Sequence, residues 1–317
     1  MEWYEIVLLV LLIALAIYFL IFLVLSIVIV YYITQPRIAP FDVVFQRAVN
    51  LKKFTPEEYE TYYNQEEFYI KAKDGCNLKA VYMPKKVDVN FKDNKERVVV
   101  ISHGWTSCRI QMLGYAKSYL KLGFHVFIYD QRNHLDSDKS ITTMGYKEAD
   151  DLQTVIDVVK QRLGNDIIIG THGESMGAAT VMIHAGRYHN VNFLVEDCGY
   201  NNLKELLTFL CKNSKKFPVF PTIPLCSIIF KIATGISVKD VNPSLEISKC
   251  EDIPMLFNHG EKDDFVPTNM LNNLYESKKG FKKLHIYEGS GHARSHVDHT
   301  DEYENDLKEF LIESNII

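Results

Sequence analysis

Asp166-Ile-Ile-Ile-Gly-Thr-His-Gly-Glu-Ser175-Met-Gly-Ala-Ala-Thr-Val-Met-Ile183 joins an unbroken apolar run to a run of small and apolar residues through Gly173-x-Ser175-x-Gly177. The first part reads as a short buried strand, the pentapeptide as a sharp turn, and the last part as a helix. A turn this tight crowds the residue at its apex, so its flanking positions must lack a Cβ, and Gly173 and Gly177 meet that need. Ser175 is then held out of the sheet, and the first free amides of the following helix, Met176 among them, face any negative charge that develops beside it.

On either side of this stretch, apolar strands alternate with helical patterns. Val98-Val-Val-Ile-Ser102 reads as a buried strand, Ile110 to Lys121 as a helix, His125-Val-Phe-Ile-Tyr129 as a strand and Lys147 to Arg162 as a helix. Beyond Ser175 come strands at Phe193-Leu-Val-Glu196, Pro254-Met-Leu-Phe-Asn258 and Lys283-Leu-His-Ile-Tyr287, with helices near Asn269 to Ser277 and Asp301 to Glu313. This alternation implies a mostly parallel sheet covered by helices on both faces. Upstream, Phe68-Tyr-Ile-Lys-Ala-Lys73 and Asn77-Leu-Lys-Ala-Val-Tyr-Met83 flank Asp74-Gly75 and read as a hairpin. The charged run Lys85 to Arg97 reads as a solvated loop.

One segment breaks the alternation. Residues 201–249 contain Lys215-Lys-Phe-Pro-Val-Phe-Pro-Thr-Ile-Pro224, too proline-rich at first to continue a helix. It reads as an inserted cap over the C-terminal edge of the sheet, either a lid lining an acyl pocket or an insertion with its own small core.

The N-terminal region is different in kind. From Ile6 to Ile33 the only polar exceptions are Ser26 and three tyrosines. As a helix this run is about 42 Å long against a hydrocarbon core of about 30 Å, so it is expected to span a membrane once, with tilt. A cleaved signal peptide fits poorly, because the start carries Glu2 and Glu5 rather than cations and no small-x-small site follows. Arg37, Arg47, Lys52 and Lys53 follow the helix and no cation precedes it, which places the bulk of the chain on the cytoplasmic side. The expected division is an anchor over 1–35, a linker with a short helix over 36–66, and a globular domain over 67–317. In the linker, Pro36 and Pro40 end the helix, Phe41 to Asn50 is mildly amphipathic and lies on the bilayer surface or serves as a solvated connector, and Thr55-Pro-Glu-Glu58 supplies a helix cap.

With 317 residues, 47% of them hydrophobic, the chain can bury a sizeable core. A net charge of −5 argues against a nucleic-acid surface, which needs a basic stripe. The six cysteines show no C-x-x-C pair, so neither a zinc site nor a disulfide framework is signalled. His292, His296 and His299 lack the glutamate that a zincin motif requires, and no metal is expected.

A serine nucleophile needs a base to take its proton and a carboxylate to orient that base. Both are expected past later strand ends. Asn258-His-Gly-Glu-Lys-Asp263-Asp264-Phe-Val-Pro267 follows one strand and Glu288-Gly-Ser-Gly-His292-Ala another, in the order serine, acid, histidine. Ser102-His-Gly-Trp105-Thr106 follows an earlier strand, so the Trp105 amide joins that of Met176 as an oxyanion donor.

Taken together, His103-Gly104, Tyr129-Asp-Gln-Arg-Asn-His134, Gly-Glu-Ser175-Met-Gly, His259-Gly-x-x-Asp-x-x-Val-Pro267 and Gly-x-Gly-His292 fall in one order over about Phe68 to Phe310. In this the chain resembles the α/β-hydrolase superfamily, and more narrowly the membrane-anchored serine hydrolases of Gram-positive bacteria. The resemblance implies Ser175 as nucleophile, His292 as base and Asp263, two residues short of Val266-Pro267, as acid, with Asp264 its rival. It implies Asp130 and Arg132 as a structural brace. The family usually has glycine where Asn133 and Leu135 stand. The expected activity is cleavage of a small-molecule or lipid carboxylic ester through an acyl-enzyme, with no cofactor. The alternatives are a peptidase or aminoacyl-amide hydrolase of the same fold, and a non-catalytic membrane-tethered binding protein.

Overall fold

In the computed structural model, which describes residues 2–63 and 66–317, eight strands form one sheet in the order β1-β2-β4-β3-β5-β6-β7-β8. Residues 64 and 65 of the expected linker, and residue 1, lie outside the described residues. The strands are β1 (Glu66–Lys71), β2 (Asn77–Met83), β3 (Glu96–Ser102), β4 (His125–Tyr129), β5 (Ile167–Glu174), β6 (Phe193–Asp197), β7 (Met255–Gly260) and β8 (Lys282–Tyr287). β1 and β2 form the antiparallel hairpin around Asp74-Gly75, β2 runs antiparallel to β4, and the strands from β4 to β8 are parallel to one another.

Side chains alternate across a strand, so each central strand feeds two cores. On one face, Val99, Ile101, Val126 and Ile128 pack with α4 (Leu113–Lys121) and α11 (Thr300–Glu313). On the other, Val98, Val100, Phe127 and Tyr129 pack with α5 (Glu148–Leu163), α6 (Met176–Tyr188) and α10 (Thr268–Ser277). Gly170 is where the sheet needs a missing side chain: a Cβ there would sit 1.9 Å from the Phe193 ring. Arg97, at the end of the expected loop, instead lies buried in β3 and donates to the Ile316 carbonyl at 3.0 Å.

Residues 201–249 form a helical cap of α7 (Leu203–Ser214), α8 (Val219–Thr234) and α9 (Pro243–Ile247). The prolines fall where a helix accepts them: Pro218 caps α8 and Pro221 and Pro224 occupy its opening turns, after a break at Phe220. The cap has its own apolar core, shared with Met176, Ala179 and Ile183 of α6.

α1 (Trp3–Thr34) is long and apolar enough to cross a membrane. Its outer part is exposed from Trp3 to Ile21, whereas Ser26, Val30 and Thr34 are buried and Leu25, Ile29 and Ile33 half-buried. That four-residue recurrence marks one helix face laid on α8 and the rim of the sheet. Helix ends leave carbonyls without intrahelical donors. Here the domain supplies them: Trp105 Nε1 donates to the Ile33 carbonyl at 3.1 Å, and Asn133 Nδ2 at 3.1 Å and the Thr142 amide at 3.0 Å donate to that of Thr34. α2 (Phe41–Asn50) likewise turns its Val44 and Ala48 into the core beside Phe54 and Tyr63, so it is packed on the domain rather than solvated as a connector. The capped turn α3 (Pro56–Glu58) follows, with the Thr55 hydroxyl accepting from the Glu58 amide at 3.2 Å.

Candidate active site

β5 ends at Glu174 and α6 begins at Met176, leaving Ser175 alone in the turn with φ 56° and ψ −113°. An L-residue held at positive φ is strained, and the neighbours that enforce it explain the two glycines. A Cβ on Gly173 would lie 2.2 Å from the Gly177 carbonyl oxygen, and one on Gly177 would lie 2.0 Å from that of Ser102. The Ser175 amide is fixed by donation to the Asp197 carbonyl at 2.8 Å.

His292 and Asp263 arrive from the loops after β8 and β7. The Ser175 hydroxyl lies 2.9 Å from His292 Nε2, and His292 Nδ1 lies 2.7 Å from Asp263 Oδ2. With the imidazole proton on Nδ1, Nε2 is left to accept from the serine. Asp263 is itself held: its Oδ1 accepts the amides of Phe265 at 2.9 Å and Val266 at 2.8 Å. His259 Nε2 lies 3.3 Å from Asp263 Oδ2 and 2.7 Å from the Val266 carbonyl. Burial pushes the His259 imidazole below its usual range, which keeps it neutral. Asp264 is exposed and belongs to none of these contacts.

The loop after β3 runs alongside. A Cβ on Gly104 would come 3.4 Å from the Ser175 Cβ, an ordinary van der Waals distance, so this loop passes directly beside the serine. Among the described residues, the amides of Trp105 and Met176 donate to no backbone carbonyl. His103 shapes the loop: its Nδ1 donates to the Gly104 carbonyl at 2.8 Å, and its Nε2 accepts from the Gln131 amide at 2.9 Å. Asp130 and Arg132 brace different elements. Asp130 pairs with Arg109 in the interior, while Arg132 grips Asp151 at 2.6 Å and Asp74 at 2.8 Å. Asn133 and Leu135 take positive φ, 65° and 35°, so the loop keeps a glycine-like course without glycine. The Asn133 amide bonded to α1 helps to hold that course.

The other histidines do not join the site. His172 is buried near Tyr119 and Tyr303, His296 is buried against Ser118, and burial lowers both to about 3. His299 faces the Glu288 carbonyl at 2.9 Å. Cys198, Asp263 and His292 do place possible ligand atoms within 4.8 Å of one another. However, burial holds the Cys198 thiol well above its usual range, and His292 and Asp263 are already bonded to each other. A metal needs the thiolate and a free imidazole, so this trio does not suit one.

A polar network behind Ser175 escaped the sequence reading. The Tyr115 hydroxyl lies 2.9 Å from Asp197 Oδ2 and 3.2 Å from Glu174 Oε2, and Lys53 Nζ lies 3.1 Å from the same Glu174 oxygen. Burial, aided by the nearby Glu174 charge, pushes Asp197 up to about 7. The only sequence signal was the acid Asp197 at the end of β6, in the same strand-end position that singled out Asp263.

A mostly parallel sheet of this order, with a strained elbow between its fifth strand and the next helix, is the α/β-hydrolase fold. The chain belongs to that family: a family model described as alpha/beta hydrolase fold matches residues 97–199. Over 219 residues the chain is 34% identical to a Bacillus subtilis relative, the uncharacterized protein YqkD, covering 68% of this chain and 72% of that one. The uncharacterized membrane protein YNL320W of Saccharomyces cerevisiae is 23% identical over 63% of this chain and 64% of its own length. Among solved structures, Pyrococcus furiosus esterase Pf2001 matches with a TM-score of 0.64 and 21% identity, covering 89% of this chain and 97% of that one. Est1E of Butyrivibrio proteoclasticus, solved with ferulic acid bound, matches with a TM-score of 0.62 and 20% identity, covering 79% and 100%. At these identities the likeness to both enzymes is one of fold.

Proposed function

We propose that the protein is a membrane-anchored serine hydrolase that cleaves carboxylic esters. The observation that carries this reading is the continuous line from Ser175 Oγ through both nitrogens of His292 to Asp263, at 2.9 and 2.7 Å. Ser175 Oγ attacks the carbonyl carbon while His292 Nε2 takes its proton, and Asp263 stabilises the resulting imidazolium. The amides of Trp105 and Met176 receive the oxyanion, each donor contributing on the order of 3 kcal/mol to the transition state. His292 then protonates the departing alkoxide, leaving an acyl-serine. Water attacks that ester, its proton passing to His292 and back to Ser175, and the carboxylic acid leaves.

Two solved fold relatives are esterases, which supports an ester over an amide as the substrate. The length and composition of α1 support a single-pass anchor, and Arg37 and Arg47 beyond it support a cytoplasmic domain. Ser175→Ala is expected to abolish turnover of p-nitrophenyl acetate and labelling by a fluorophosphonate probe. Retained turnover refutes the nucleophile, and cleavage of aminoacyl amides in preference to esters replaces the substrate class. Protease protection in intact cells tests the side: a domain digested from outside overturns the cytoplasmic placement.

A further inference from the structure

The triad accounts for the carbonyl, and a neighbouring cavity of about 330 Å³ is left to account for the rest of the ester. Its size lies within the roughly 300–1,000 Å³ typical of small-molecule sites. The walls come from distant parts of the chain: Ile29 and Ile33 of α1, Leu207 of α7, Ile223 of α8, and Trp105 and Phe265 at the rim of the sheet. The last two join it to the triad. The Phe265 and His292 ring centroids are 5.0 Å apart, and Trp105 follows the glycine that abuts Ser175. Among the described residues no charged side chain lines the cavity, so an anionic or cationic acyl group would find no partner there.

The second observation is the length of α1. Its 32 residues rise about 48 Å, whereas about 20 residues cross a hydrocarbon core. The surplus corresponds to the docked end: residues 3 to 21 are exposed without interruption, and burial begins just after them. α8, which packs on that docked end, keeps Phe220, Ile228 and Ile232 exposed, the last at 80%. Such side chains on a cap are out of place in water and in place at the edge of a bilayer. The helix that anchors the protein thus forms one wall of the cavity at the level where it leaves the membrane.

We propose that the cavity binds the long acyl chain of a membrane ester lipid, and that the chain enters from the leaflet between α1 and α8 rather than from water. This rests on the serine hydrolase reading and adds to it the substrate class and the route. In binding, the chain moves from one apolar medium to another, so the enzyme need only recruit the ester group to Ser175, and the anchor becomes part of the specificity pocket.

The test uses the full chain reconstituted in phosphatidylcholine vesicles, with p-nitrophenyl palmitate and p-nitrophenyl acetate as paired substrates. Ile29→Trp fills the cavity from the anchor side and Leu207→Trp from the cap side, so a folding failure in one leaves the other to decide. The readout is the ratio of kcat/KM for palmitate over acetate, in which a loss common to both substrates cancels. We expect that ratio to fall about tenfold or more, since even one or two displaced methylenes in an apolar pocket count for that much. An unchanged ratio in the folded variants overturns the proposal, as does a wild-type protein that cleaves acetate but not palmitate. Equal initial rates for palmitate ester placed in the protein's own vesicles and in protein-free vesicles overturn entry from the leaflet. A wild-type protein that cleaves neither ester and takes no fluorophosphonate defeats the hydrolase reading as well, a result distinct from the others.

Discussion

The polar line at the rim of the sheet and the apolar wall beside it are built by opposite means. Ser175, Asp263 and His292 each sit just past the end of a strand, where parallel hydrogen bonding fixes their positions and one angle of backbone strain fixes Ser175. The wall is made by helices from the two ends of the chain's first three-quarters, α1 and the cap, which meet through interchangeable Ile, Leu and Phe contacts. Positions set by strands and glycines tolerate little change in identity, whereas positions set by packing tolerate most apolar substitutions of similar volume. The first region should therefore respond to mutation in rate and the second in preference.

The sharpest way to break this contrast is Asp263→Asn. The two backbone amides still hold the Asn Oδ1, but its amide donates to His292 Nδ1 and moves the imidazole proton to face Ser175. Turnover is expected to fall about 10⁴-fold with the fold intact, measured as kcat on the acetate ester alongside thermal unfolding. A loss of under tenfold would remove Asp263 from the line. Next in size is Gly177→Ala, whose new Cβ would meet the Ser102 carbonyl oxygen at 2.0 Å. Backbone does not yield as a flexible side chain does, so a stability loss of more than about 4 kcal/mol is expected, read as loss of folded protein in detergent. Normal folding would mean that the elbow has slack the geometry denies.

Trp105→Phe tests whether line and wall are independent. The ring remains to fill the cavity, but the indole N–H that donates to the Ile33 carbonyl is gone, leaving that carbonyl of α1 without its donor. A stability loss of about 1 kcal/mol follows from the missing bond. Because Trp105 also carries an oxyanion amide in the proposed mechanism, kcat is expected to fall more than KM changes. A change in neither would show that docking of α1 leaves the oxyanion loop unaffected.

These effects follow the division between what could and could not be read in the chain. Gly173 and Gly177 were legible because a steric demand for a missing side chain leaves a mark in the sequence. The alternation of strands and helices was legible for the same reason that the sheet is parallel, since each strand buried on both faces must be apolar throughout. Asn133 and Leu135 hid a similar demand, because their positive φ is sustained by tertiary contacts, among them the Asn133 bond to Thr34. The docking face of α1 was not legible. A helix apolar on every side carries no stripe, so nothing distinguishes Ile29 and Val30, which face the domain, from Ile27 and Val28, which do not. α2 shows a different limit: its stripe was visible, but a stripe alone does not say whether a bilayer or the domain covers it.

The smallest expected effect concerns the network behind Ser175, which belongs to neither region and lies beneath the polar line. Burial raises Asp197 to about 7, against about 4 for an exposed aspartate. An acid that holds its proton more tightly in the folded state stabilises the fold fully at pH values below its unfolded pKa, and that contribution is lost as pH rises through the folded one. Between about pH 4 and pH 7, then, this residue makes the stability of the wild-type protein decline. Asp197→Asn keeps an oxygen for the Tyr115 hydroxyl and carries no charge at any pH, so it should flatten that part of the profile, as measured by thermal unfolding at steps of pH. The Ser175 amide bonds to the backbone carbonyl of Asp197, not to its side chain, so the elbow should survive the change and ester turnover should shift little. A profile that stays as steep as the wild type would mean that another buried acid, such as Glu196, which burial also raises, carries the titration instead.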